Sequence, residues 1–150
     1  PPMNGPGRAV DQRVLRLGLA PPPEGGVYRR SCTSAERLGD GERAAGSSIL
    51  FLLPADVTSR WHRIDATELW QHTAGAPLQL SAWAGGSAAT QRHKLGPDLM
   101  NAEVPQCVVE PHVWQSAHSL GAWSLAGRVV VPEVSFGGSA MLHEGWAPPD

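Results

Sequence analysis

Ser59-Arg60-Trp61-His62-Arg63-Ile64-Asp65-Ala66-Thr67-Glu68-Leu69-Trp70-Gln71-His72 is the densest polar stretch of the chain. It reads as two strands, Arg60 to Ile64 and Thr67 to Thr73, around an Asp65-Ala66 turn. Side chains alternate along a strand, so Glu68, Trp70 and His72 share one face, opposite His62 on the neighbouring strand. A carboxylate and imidazoles on one wall suit a cavity that moves protons, because imidazole titrates near neutral pH.

Outward from this segment the chain keeps the same texture. Val27 to Thr33, Ser47 to Leu53, Leu78 to Trp83, Ala89 to Leu95, Gln106 to Val109, Val113 to Ala117, Trp123 to Val131 and Ser139 to His143 all read as short strands. Glu36 to Gly46 is polar and glycine-rich and reads as a loop. About ten short strands at regular spacing, with no long amphipathic helix between them, predict an all-β sandwich or barrel. Before them, Val10, Val14 and Leu17 recur at helical spacing and predict a short helix that Pro21-Pro22-Pro23 cannot continue. Residues 1–9 read as a disordered N-terminal segment and 10–146 as one domain.

Composition narrows the class. Among 150 residues there are 17 glycines and 14 prolines, which suits a turn-rich β domain. The formal net charge is −2 without a basic run, which argues against a nucleic-acid surface. No segment is apolar for long enough to span a membrane, and no basic region followed by an apolar stretch opens the chain. A cytoplasmic protein with two reduced thiols, Cys32 and Cys107, is the expectation.

The motifs resemble those of the cupin superfamily. Cupins carry His, one residue, His, three or four residues, Glu, six residues and Gly; His62, Glu68 and Gly75 fall at those places, and Ile64 stands for the second histidine. In the second motif Gln115 stands for the histidine. The whole run is similar to the cupin-5 branch, through Pro23-Glu24-Gly25-Gly26, Ser59 to Arg63, Glu68 with Trp70, Gly75 with Pro77-Leu78, Leu95 to Asp98, Pro105-Gln106 and Trp114-Gln115. It departs at Pro22, Cys32-Thr33-Ser34, Glu110-Pro111-His112 and Pro132-Glu133-Val134. The resemblance implies a cupin barrel (a double-stranded β-helix, or jelly roll) and a homodimer.

Many cupins hold a metal on three histidines and a glutamate. Here isoleucine cannot ligate and an amide is a weak ligand for zinc or iron, so no cofactor is expected. Were a divalent metal bound, its ligands would come from His62, Glu68, His72 and Gln115. In the metal-free reading Glu68, His62 and His72 are the catalytic candidates. Ser59, Trp61, Arg63, Trp70, Gln106, Trp114 and Gln115 are expected to bind the ligand. Tryptophan offers a broad apolar wall, and Arg63 is suited to a ligand carboxylate or phosphate, or else to Asp65 or Glu68. His93, His112, His118 and His143 read as loop or surface residues. The function this implies is acid–base chemistry on a small polar metabolite, of isomerase, epimerase, cyclase or lyase type. The alternatives are a non-catalytic binding module and a metal-dependent enzyme with a reduced ligand set.

Overall fold

The structure, a computed structural model, describes residues 12–14, 16–20, 25–39, 41, 43–135 and 137–149. The segment 1–9 expected to be disordered lies outside them, as does Pro21-Pro22-Pro23 with Glu24. Twelve strands form among the described residues: β1 (Val27–Thr33), β2 (Arg37–Leu38), β3 (Arg43–Ala44), β4 (Ser47–Pro54), β5 (His62–Ile64), β6 (Thr67–Gly75), β7 (Leu78–Trp83), β8 (Gln91–Leu95), β9 (Gln106–Val109), β10 (Trp114–Ser119), β11 (Trp123–Val131) and β12 (Ser139–Met141). The segment Glu36 to Gly46, expected to be a loop, contains the two-residue ladder β2–β3.

The remaining strands make two antiparallel five-stranded sheets. One has the order β1-β4-β11-β6-β9 and the other β12-β5-β10-β7-β8. The two strands of the Ser59–His72 stretch do not pair as a hairpin. The Asp65-Ala66 link carries the chain from β5 in the second sheet to β6 in the first. His62 and Glu68 therefore face each other across the barrel and not along one wall.

Alternation then fills the space between the sheets. Phe51, Leu53, Trp70 and Ala126 point inward from the first sheet and meet Leu78, Leu80, Leu95 and Ala117 of the second, all buried. Phe51 and Trp70 meet edge to face, with ring centroids 5.9 Å apart. The sheets' outer faces are covered by the two ends of the chain. Residues 12–14 and 16–17 are helical, and Val14, Leu17 and Leu19 pack on Leu52, Leu125 and Trp123. On the other side Trp146 sits over Trp61, Trp83 and Trp114, at centroid distances of 6.1, 5.6 and 6.4 Å.

One glycine is fixed by geometry. Gly75 ends β6 with φ +76°, and a Cβ there would lie 2.7 Å from the Trp123 carbonyl oxygen and 2.6 Å from its ring. Cys32 and Cys107 are both free. Among the described residues no helix is long and apolar enough to cross a membrane.

Candidate functional site

The register of the first sheet aligns three inward-facing rows. Ser47, Val130 and Glu68 form one, on β4, β11 and β6. Arg30, Ile49, Arg128 and Trp70 form the next, from β1 through β4 and β11 to β6. Tyr28, Phe51 and Ala126 form the third. His62 and Ile64 approach from β5 in the opposite sheet. Between them lies a cavity of about 270 Å³, lined by Tyr28, Arg30, Ser47, Ile49, His62, Ile64, Glu68, Arg128, Val130, Glu133 and Val134.

A chain of buried polar groups lies at the inner end of this cavity. The Trp70 indole N–H donates to Oε1 of Gln115 at 2.8 Å, and Nε2 of Gln115 donates to Oε2 of Glu68 at 2.7 Å. Indole N–H is only a donor, so it fixes which end of the amide faces Glu68. The other Glu68 oxygen, Oε1, receives Nε–H of Arg128 at 2.6 Å. A second guanidinium nitrogen of Arg128 lies 3.1 Å from Nε2 of His62. Arginine can only donate, so Nε2 accepts, and Nδ1–H is left to donate to the Arg60 carbonyl at 2.8 Å. The Arg128 guanidinium also stacks over Trp70 and Phe51, at 4.2 and 4.7 Å from their ring centroids.

Burial makes this chain strong. Glu68 is 1% exposed and Arg128 3%. A buried ion pair this close, with its remaining acceptors filled, is held against separation because either charge alone would be stranded in a poor solvent.

The lip of the cavity carries a second set of charges. Glu133 receives an N–H of Arg30 at 3.0 Å and the backbone N–H of Ala44 at 3.1 Å, and Arg37 lies 3.8 Å away. The Ala44 N–H, with Arg30, holds the Glu133 carboxyl below its ordinary value. Next to it Asp65 accepts from the Ser135 hydroxyl and from Arg43 at 3.4 Å. Burial pushes the Asp65 carboxyl up, but the Ser135 and Arg43 contacts outweigh it and hold the group below its ordinary value.

The structure thus gathers His62, Glu68, Trp70 and Gln115 around one site. It does not bring the other predicted residues there. His72 lies beyond Trp70, where its Nε2 meets the carbonyls of Gly75 and Ala76 at the turn into β7. Ser59 is fully buried as a tie between strands, accepting the Ala117 N–H at 2.8 Å and the Ser116 hydroxyl at 2.6 Å. Gln106 is exposed on β9, at the sheet edge. Trp61, Arg63 and Trp114 alternate with His62, Ile64 and Gln115 and so face outward. There Trp61 and Trp114 pack with Trp146, and Arg63 lies 4.7 Å over Trp114, away from Asp65 and Glu68. The residue missed by sequence reasoning is Arg128. Its signal is the one charge in the largely apolar strand Trp123–Val131, at a position of the same parity as Ala126 and Val130.

The donor set does not fit a metal of the kind many cupins hold. Ile64 stands at one ligand place. Gln115 spends its carbonyl on Trp70 and turns its NH₂ toward Glu68. The Arg128 cation engages both His62 Nε2 and Glu68 Oε1. Among the described residues no cluster of three or more His, Cys, Asp or Glu is placed to hold an ion.

Two antiparallel sheets closed around a polar pocket, with this motif spacing, define a cupin barrel. The chain matches the Cupin_5 family, described as cupin superfamily (DUF985), over residues 11–142, and it belongs to that family. A protein from Shewanella oneidensis of known structure is similar at 30% identity and a TM-score of 0.82, with 88% of this chain and 83% of that chain covered. A hypothetical protein from Leishmania major is similar at 25% identity and a TM-score of 0.78, covering 87% and 85%. Oxalate decarboxylase from Bacillus subtilis shares the fold at 15% identity and a TM-score of 0.60, over 81% of this chain and 29% of its own. No curated protein matches the chain.

Proposed function

We propose that this cupin is a small-molecule enzyme that carries out acid–base chemistry without a metal, of isomerase, epimerase, cyclase or lyase type. The observation that carries the reading is the buried chain His62–Arg128–Glu68–Gln115 on the wall of a cavity. His62 is the group proposed to transfer the proton: its Nδ1–H is anchored on the Arg60 carbonyl, which fixes the ring, and its Nε2 takes the proton once a ligand oxygen draws the Arg128 N–H away from it. Arg128 supplies the fixed positive charge that a metal supplies in other cupins, and it steadies negative charge on a reacting oxygen. Glu68 holds Arg128 in place, with Gln115 and Trp70 behind it.

The test begins with mass spectrometry of the denatured protein to find what co-purifies, alongside metal analysis of protein prepared without chelators. A stoichiometric transition metal overturns the metal-free part. With a substrate identified, His62→Asn keeps a donor toward the Arg60 carbonyl but removes Nε2. Turnover should fall by about 10²–10⁴-fold with the fold intact; unchanged turnover overturns the role of His62.

A second reading, a non-catalytic binding module, is favoured by one observation. Both Glu68 oxygens are already engaged, which suits a fixed electrostatic framework better than a base. In either reading the partner is a small molecule, and self-association into a homodimer, which the family resemblance implies, is checked by light scattering.

A further inference from the structure

The polar lining of the cavity divides into groups that the protein already holds and groups that it leaves open. Arg128 pairs with Glu68 and engages His62, and Glu68 also receives Gln115. At the lip Arg30 pairs with Glu133, which also takes the Ala44 N–H. Each of these four charged side chains of the lining is joined to one of opposite sign. Two neutral hydroxyls stand apart, those of Tyr28 and Ser47. Among the described residues neither has a hydrogen-bonding partner. Tyr28 is half-buried and Ser47 buried, yet no sealed side-chain oxygen or nitrogen among the described residues lacks a partner. The two hydroxyls are therefore open to the cavity that they line.

From this division we infer that the pocket recognises a small neutral molecule with a hydroxyl group at either end, one held by Ser47 and the other by Tyr28. The inference deepens the proposed function and rests on that reading only in taking this cavity as the ligand site.

Three observations support it. The first is register. Ser47, Ile49 and Phe51 follow one another on the inner face of β4, and Tyr28 of β1 pairs with Phe51. A molecule that meets both hydroxyls lies across Ile49, with Val130 and Ile64 as further apolar wall. Its two oxygen functions are then separated by a hydrocarbon stretch. The second is charge. A carboxylate or an amine must draw a side chain of opposite sign out of an existing pair, and for Glu68 and Arg128 burial makes that separation costly. A neutral molecule leaves both pairs whole. The third is the chemistry of the open groups. Serine and tyrosine hydroxyls both donate and accept. An alcohol answers both capacities, which a carboxylate, only an acceptor, and an ammonium, only a donor, do not. The volume, below the usual range for ligand pockets of roughly 300–1,000 Å³, keeps the molecule small.

The test uses pentamethylene glycol, a carbon chain with a hydroxyl at each end, and two counterparts of the same chain length, pentanol and glutarate. Each is titrated into the intact, isotope-labelled chain and followed by amide NMR shifts, which give both the affinity and the site. The glycol should bind about fivefold more tightly than pentanol, and more tightly than glutarate, with shifts at Tyr28 and Ser47. Tyr28→Phe and Ser47→Ala each remove one oxygen, and the rest of the amide spectrum shows that the fold is kept. Either substitution should bring the glycol down to the level of pentanol. Glutarate bound as tightly as the glycol, equal affinities for glycol and pentanol, or a preference that survives both substitutions overturns the inference, as does the absence of shifts at this site with all three probes. Unchanged turnover in His62→Asn with the glycol preference intact counts against the catalytic reading alone. Loss of that preference while the His62 result stands counts against this inference alone.

Discussion

Glu68 on β6 and Arg128 on β11 are held 2.6 Å apart, Oε1 to Nε, and both are almost wholly shielded from solvent. Their strands are neighbours, but Glu68 pairs with Val130 and Arg128 with Trp70, so the ion pair runs diagonally between two rows. That diagonal places the guanidinium within reach of His62 in the opposite sheet. It converts three residues from three strands into one polar unit.

The pair therefore has a thermodynamic signature. Arg128→Met strands the Glu68 carboxylate and should cost about 3–5 kcal/mol. The double substitution Glu68→Leu with Arg128→Met removes both charges and should recover a good part of that loss. Urea denaturation of the two singles and the double closes the cycle. A double mutant as unstable as the sum of the singles would show that the two residues act independently.

Much of this architecture was legible in the sequence, and the gaps have physical causes. Strands β1, β7, β9 and β11 lie between turn residues and are rich in β-branched, aromatic or apolar residues, and their predicted bounds coincide with the observed ones. The pairing of β5 was not legible, because Asp65-Ala66 looks the same whether it closes a hairpin or carries the chain between sheets. His62, Glu68 and Gln115 were found from motif spacing. Trp61, Arg63 and Trp114 adjoin those residues in sequence, which suggests the ligand site, yet adjacency on a strand means opposite faces. Arg128 is not legible there, because a largely apolar strand with one charge reads as an ordinary core strand until its Glu68 partner is known.

The outward tryptophans give a direct check on that correction. Trp146→Ala removes the ring that packs on Trp61, Trp83 and Trp114 and should shift tryptophan fluorescence to the red as the cluster meets water. Ligand affinity should stay unchanged, since the cluster lies on the opposite face of the sheet from the cavity. A loss of affinity with retained stability would return Trp61 and Trp114 to the ligand site.

Gly75 tests the geometry of the barrel's far end. Alanine there meets the Trp123 carbonyl, which belongs to the β11 backbone and cannot yield as a flexible side chain would, and it also takes on a left-handed backbone. Gly75→Ala should destabilise the protein by about 1–3 kcal/mol, read by the denaturation midpoint. A neutral effect would mean that the β6–β7 turn relaxes freely away from Trp123.

Acid should loosen the lip before the core, through Asp65. Its folded carboxyl lies below the unfolded value: burial raises it, but the Ser135 and Arg43 contacts lower it by more. A depressed folded value means that ionised Asp65 stabilises the native state above the unfolded pKa, and that this contribution is lost as pH falls through the folded pKa. Asp65→Asn should therefore destabilise the protein at pH 7, by losing the contacts to Ser135 and Arg43 that fasten the segment carrying Glu133 and Val134. The difference from wild type should begin to shrink as pH falls below about 4, the unfolded value, and close only at the lower pH where the folded carboxyl also takes its proton. Denaturation of both proteins across this range measures it. A difference that stays constant from neutral to acid pH would mean that the asparagine acts through packing and not through charge.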